Sequence, residues 1–109
     1  MASQLAGVMD VVDVCEGLIL AKLSGEVLLG QTLTETIDHN ELASKICKLF
    51  EIDLDVIEKG QINEYTVALE HGFLIAVRND EHVLIGLLGN DGKSSVGLLT
   101  RQIKNIMRN

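Results

Sequence analysis

Residues 83–88 read Val-Leu-Ile-Gly-Leu-Leu, an unbroken apolar run. Turn signals close it on both sides, Asn79-Asp80-Glu81 before and Gly89-Asn90-Asp91-Gly92 after. A strand with one wet face alternates apolar and polar residues, whereas a strand without alternation is covered on both faces. The run is far shorter than the roughly 20 apolar residues a membrane span needs. It therefore predicts a central strand over 82–88, and the rest of the chain has to supply the layers that cover it.

The chain has the material to do so. Gly60–Leu69 reads as a strand with Ile62, Tyr65, Val67 and Leu69 as its apolar members, and Phe73–Asn79 as the next, after a Glu70-His71-Gly72 turn. With 82–88 these make an antiparallel meander. Upstream, Gly17–Leu23 and Val27–Leu33 flank Ser24-Gly25-Glu26, the pattern of a hairpin.

Three segments carry helical periodicity. Leu5, Val8, Met9 and Val12 form one stripe of a short first helix, with Ser3 as a candidate N-cap. Asp38 followed three residues later by Glu41 is a capping-box pattern and opens a helix that runs to about Glu51. Its apolar residues fall into two rows, 42-46-49 and 43-47-50, a stripe wider than packing on one sheet requires. The second row either faces another subunit or is wedged into its own domain. A last helix from about Ser94 to Met107 has Val96, Leu99, Ile103, Ile106 and Met107 on one side and ends in Arg101, Lys104 and Arg108, where cations suit the helix dipole. The order is α-β-β-α-β-β-β-α, an α+β domain over 1–109.

Composition narrows the function. Only Phe50, Tyr65 and Phe73 are aromatic, proline is absent, and 47% of residues are hydrophobic, which argues against an enzyme with a deep aromatic-lined pocket. Sixteen acidic against nine basic residues give a net charge of −7, the wrong sign for nucleic-acid binding. The charge is uneven: residues 1–70 hold thirteen acids and four bases, residues 71–109 three acids and five bases. That asymmetry either steers a basic partner patch or marks a solvated surface. Cys15 and Cys47 have no metal or redox spacing and suit a reduced interior. Met1–Asp13 lacks a basic start and contains Asp10 and Asp13, unlike a signal peptide. A cytoplasmic protein without direct membrane insertion is expected.

Two motifs mimic ligand sites. Gly86-Leu-Leu-Gly-Asn-Asp-Gly92-Lys93-Ser94 lies between strand and helix, where a phosphate loop belongs, but the first glycine of that motif would fall at Leu87. It reads as a strand-to-helix turn. Asp53-Leu-Asp55-Val-Ile-Glu58 lacks the calcium loop's fifth ligand and its glycine, and reads as a solvated acidic connection. His39, His71 and His82 have no ligand spacing, and no nucleophile–base pair can be assembled. No catalytic residue, metal or cofactor is assigned.

Taken together, the pattern resembles the roadblock domain, the family of dynein light chains, Ragulator-type scaffold subunits and bacterial polarity regulators. The resemblance rests on Val12-Asp-Val-Cys-Glu-Gly-Leu-Ile-Leu20, Ser24-Gly25-Glu26-Val27-Leu28, Gly60-Gln-Ile-Asn-Glu-Tyr-Thr-Val67, the Gly72 turn, the His82–Gly89 strand and Val96-Gly97-Leu98-Leu99. It covers nearly the whole chain, although the first helix is shorter than usual for the family. Profilin-like and longin folds share the central sheet. The resemblance implies one five-stranded antiparallel sheet in the order 2-1-5-4-3 with helices on both faces. It also implies a homodimer, or a heterodimer with a related roadblock subunit, joined through the strand after the middle helix and through paired middle helices. Sheet pairing then falls to Gln61, Asn63, Tyr65 and Val67, and the helix seam to Leu42, Ile46 and Leu49, where a charge at Ile46 is expected to weaken assembly. Glu41, Lys45 and Lys48 are left to contact a partner. The implied function is a non-enzymatic scaffold or regulator of a small Ras-like GTPase. The alternatives are an architectural subunit of a motor or membrane-scaffold complex, and a small-ligand sensor using the Gly89–Ser94 turn.

Overall fold

A computed structural model describes residues 2–108 of the chain, with the side chains of Ala2 and Ser3 outside the description, so the Ser3 cap lies beyond it. The elements run α1 (Ala2–Val11), β1 (Cys15–Lys22), β2 (Val27–Thr32), α2 (His39–Leu49), β3 (Glu64–Leu69), β4 (Gly72–Arg78), β5 (His82–Gly89) and α3 (Val96–Met107). Short 3-10 turns at Asp55–Ile57 and Asn90–Ser95 complete the chain.

The apolar run of β5 takes the central place. β1 pairs with one edge of β5 and β4 with the other, both antiparallel, and β2 and β3 close the sheet in the order β2-β1-β5-β4-β3. Alternate residues of β5 serve opposite layers. Leu84 and Leu88 pack with α1 and α3, while Val83 and Ile85 pack with α2. The lack of alternation that marked the strand in the sequence thus reflects two cores on one sheet. The first helix's stripe is used as its period predicts, with Leu5, Val8 and Val12 buried, and α3 contributes Leu99, Ile103, Ile106 and Met107 to the same layer.

Two glycines explain how tightly the layers close. Gly25 has φ of +96° and turns the β1–β2 hairpin, where its N–H donates to the Lys22 carbonyl at 2.9 Å. Gly86 lies under α3, and a Cβ there would stand 2.8 Å from Ile103 Cδ1 and 3.0 Å from Leu99 Cδ2. Its missing side chain lets the helix sit down on the sheet.

Several boundaries differ from expectation, most of them, such as the start of β1 at Cys15 rather than Gly17, by one or two residues, and three have a visible physical cause. The third strand begins at Glu64 rather than Gly60, because Gly60, with φ of +84°, turns the chain and β4 offers partners only as far as Arg78. The middle helix stops at Leu49, capped by Phe50 as that ring turns into the core. Asn90–Ser95 winds as a 3-10 turn before α3 begins at Val96.

Candidate functional site

The α2 face is held at its start by Asp38, whose carboxylate accepts the Glu41 N–H at 3.1 Å. Glu41 turns its own side chain along the helix toward Lys45, 3.9 Å away. A second anchor is His39, half-buried, with Nε2 3.0 Å from Thr32 Oγ1, so this histidine ties α2 to β2. At the far end the Tyr65 hydroxyl donates to the Ile46 carbonyl at 2.8 Å, and its ring packs on Phe50 with centroids 4.8 Å apart. Burial, and then the adjacent Cys47 thiol, hold the Tyr65 phenol well above its ordinary range. Cys47 itself is raised by burial first and by Glu51 second. Cys15, on the opposite layer, is also raised mainly by burial, and both cysteines are free.

The two apolar rows of α2 now separate. Ala43, Cys47 and Phe50 are buried against the sheet, so the 43-47-50 row serves the domain's own core. The 42-46-49 row is split. Ile46 joins the core at 6% exposure, Leu42 is half-buried, and Leu49 is 39% exposed. A charge at Ile46 would therefore disrupt the monomer before it reported on any seam. Glu41, Lys45 and Lys48 are exposed.

β3 is an edge strand, hydrogen-bonded to β4 alone. Its register decides which of its backbone groups are free. The Arg78 N–H donates to the Asn63 carbonyl at 2.9 Å, which makes Asn63 and Arg78 a hydrogen-bonded pair. In an antiparallel ladder such pairs alternate, so Tyr65, Val67 and Leu69 also turn their polar groups to β4. The outward N–H and C=O groups belong to Glu64, Thr66 and Ala68. Gln61 and Asn63 precede the strand, and Tyr65 and Val67 point their side chains toward α2. The residues named from sequence thus lie at or before this edge, and Asn63, Tyr65 and Val67 share the parity whose backbone groups face β4. That parity is fixed by the two-residue Glu70-His71 turn, not by the composition of the strand.

The sequence reading missed one feature here. Of the ten exposed large hydrophobic residues among the described residues, five (Leu49, Ile52, Leu54, Val56 and Ile57) fall in one nine-residue stretch at the end of α2 and beyond it. Uncovered apolar surface is therefore concentrated beside α2 and the approach to β3. The connection is solvated and acidic as expected, but acids and aliphatics interleave in it, and that interleaving was the available signal. Asp53 accepts the Asp55 N–H at 2.8 Å, and Glu58 closes the turn with φ of +55°.

The glycine-rich strand-to-helix turn is held by packing. Gly92 is buried, and a Cβ there would meet Leu88 Cβ at 2.7 Å, so the strand-to-helix turn lies against the core. Among the described residues no group of three or more His, Cys, Asp and Glu could hold a metal ion. No helix among them is long and apolar enough to cross a membrane.

Layers, strand order and edge together define an α+β fold of the roadblock and profilin type. Solved structures agree. Myxococcus xanthus MglB superposes with a TM-score of 0.81 at 16% identity, covering 94% of this chain and 85% of that one. The Roadblock/LC7 domain from Streptomyces avermitilis gives 0.73 at 15%, covering 100% and 98%. Acanthamoeba castellanii profilin IB gives 0.68 at 9%, covering 98% and 90%. The chain has the roadblock fold. No family model matches the sequence, and no curated protein matches it significantly.

Proposed function

We propose that the protein is a non-enzymatic dimeric scaffold or regulator that binds a small Ras-like GTPase. The reading rests on one juxtaposition: a free β3 edge lies beside a helix whose outer row leaves Leu49 exposed and Leu42 half-covered. An unpaired edge next to exposed aliphatics is a liability in a lone monomer and a template for a second copy. Pairing the two β3 strands through Glu64, Thr66 and Ala68 continues the sheet and brings two α2 helices alongside each other. The partner copy is another molecule of this chain or a related roadblock subunit. The likeness to MglB and to a Roadblock/LC7 domain supports a regulator or scaffold of this kind.

In the dimer Glu41, Lys45 and Lys48 of both copies remain on the outer surface of the paired helices. Their role is positional: the surface favours one conformation of the GTPase switch regions by binding it more tightly than the other. No residue is needed for the chemical step. Pull-down with a panel of small Ras-like GTPases loaded with GDP, with a GTP analogue, or left empty tests this. Preferential capture of one nucleotide state is expected. Equal capture of all three removes the regulatory role and favours the architectural subunit.

A further inference from the structure

The layer opposite α2 carries a charge pattern that the GTPase surface does not use and that meets the dimer edge only at Asn63 and Glu64. Two of the chain's three arginines, Arg101 and Arg108, lie with Lys104 along α3 and its C-cap, while the third, Arg78, borders this surface from β4. Gly97, Arg101, Lys104 and Arg108 stand at i, i+4, i+7 and i+11 on α3, one continuous stripe of the helix. Two adjoining depressions of about 350 and 400 Å³ share Lys104 and Arg108. Arg78 borders the first from β4, but it shares the strand parity of Leu74 and Ala76 and lines a depression on the α2 side with Glu51, Asp53 and Asp55; Gly97, Thr100 and Arg101 floor the second.

The surface is only partly neutralised. Glu64 binds Lys104 at 2.7 Å, and Asp80 and Glu81 line a separate depression at the β4–β5 turn, which Arg108 also borders. Among the described residues the three arginines form no ion pair. In a chain of net charge −7, Arg101, Lys104 and Arg108 on one stripe concentrate positive potential there.

We infer that this groove docks a short acidic segment of a partner protein. Guanidinium forks match carboxylates two bonds at a time, which suits a peptide side chain. The stripe from Gly97 to Arg108 is roughly 16 Å long, enough for about five residues of extended peptide. An extended anion is disfavoured: a bilayer or a duplex also feels the chain's overall negative charge, whereas a peptide seated in the groove feels mainly charges within a Debye length of about 8 Å. The groove has no aromatic residue to anchor in a membrane interface either. Because α3 lies on the opposite layer from α2, the acidic segment and the proposed GTPase occupy different faces.

Fluorescence anisotropy with a labelled (Asp-Glu)4 peptide tests the assignment. The wild-type chain is expected to bind it, and raised salt to weaken binding. Arg101→Glu with Arg108→Glu, both exposed and outside the core, is expected to weaken binding at least about ten-fold while circular dichroism stays unchanged. Lys45→Glu with Lys48→Glu, on the α2 layer, is expected to leave it unchanged. The proposal is overturned by absent peptide binding at millimolar protein, by equal loss in both double variants, or by no loss in the arginine variant. It is also overturned if phosphatidylserine vesicles or inorganic phosphate bind more tightly than the peptide. None of these readouts depends on GTPase binding.

Discussion

Gly86 and Tyr65 show how single residues set the thickness of the layers. At Gly86 the sequence displays only an interruption in an apolar run, and the reason for it is α3 lying overhead. Gly86→Val is expected to destabilise the fold by about 1–3 kcal/mol, because the added methyls meet Ile103 and Leu99 in a filled core. Urea denaturation measures the loss, and an unchanged midpoint would mean the helix yields freely. Tyr65 was legible as an apolar strand residue, but its hydroxyl bond to Ile46 joins segments nineteen residues apart and has no local signature. The folded state holds its phenol protonated beyond the ordinary value of 10. Above about pH 10 the unfolded chain has lost that proton while the folded chain keeps it, so stability falls as pH rises. Tyr65→Phe is expected to flatten the alkaline stability profile. An identical slope in the variant would assign the fall to other groups, with the raised cysteines the first to consider.

Among the elements, the hairpin, the capped middle helix and the meander were legible because turn chemistry and period are local properties. The Asp38 cap is present as read. The start of β3 was not legible, since Gly60–Asn63 has strand-like composition and only the length of β4 decides where pairing ends. The parity of the free edge escaped for the same reason: register is settled between strands. It yields a sharp contrast. Thr66 directs its N–H outward and Val67 directs its own to β4. Thr66→Pro is therefore expected to leave the monomer's ladder intact. Val67→Pro removes a ladder bond and is expected to destabilise the fold by about 3 kcal/mol, the scale of a misplaced proline in regular structure. Thermal or urea unfolding below the assembly concentration distinguishes the two. Equal losses would place the free edge on the other parity.

At the scale of the whole molecule, the sequence's charge asymmetry becomes a difference between faces. The acidic first seventy residues include α2 and its Glu51–Glu58 connection, while α3 carries Arg101 and Lys104 and ends at Arg108 on the opposite layer. The strand order matched what the roadblock resemblance implied, and the apolar run of β5 earned its central place independently. Which surface remains uncovered could not be read from periodicity. The row 42-46-49 is equally apolar throughout, yet the sheet takes Ile46 and leaves Leu49 exposed. The central claim is that the exposed Leu49 end of this row and the β3 edge meet a second copy. Sedimentation equilibrium of the wild-type chain at micromolar concentration, beside Thr66→Pro and Leu49→Glu, tests it most directly. The account predicts a wild-type species of twice 11.9 kDa, shifted toward the monomer in both variants. A wild-type chain that sediments only at 11.9 kDa, or variants that assemble as the wild type does, would contradict it.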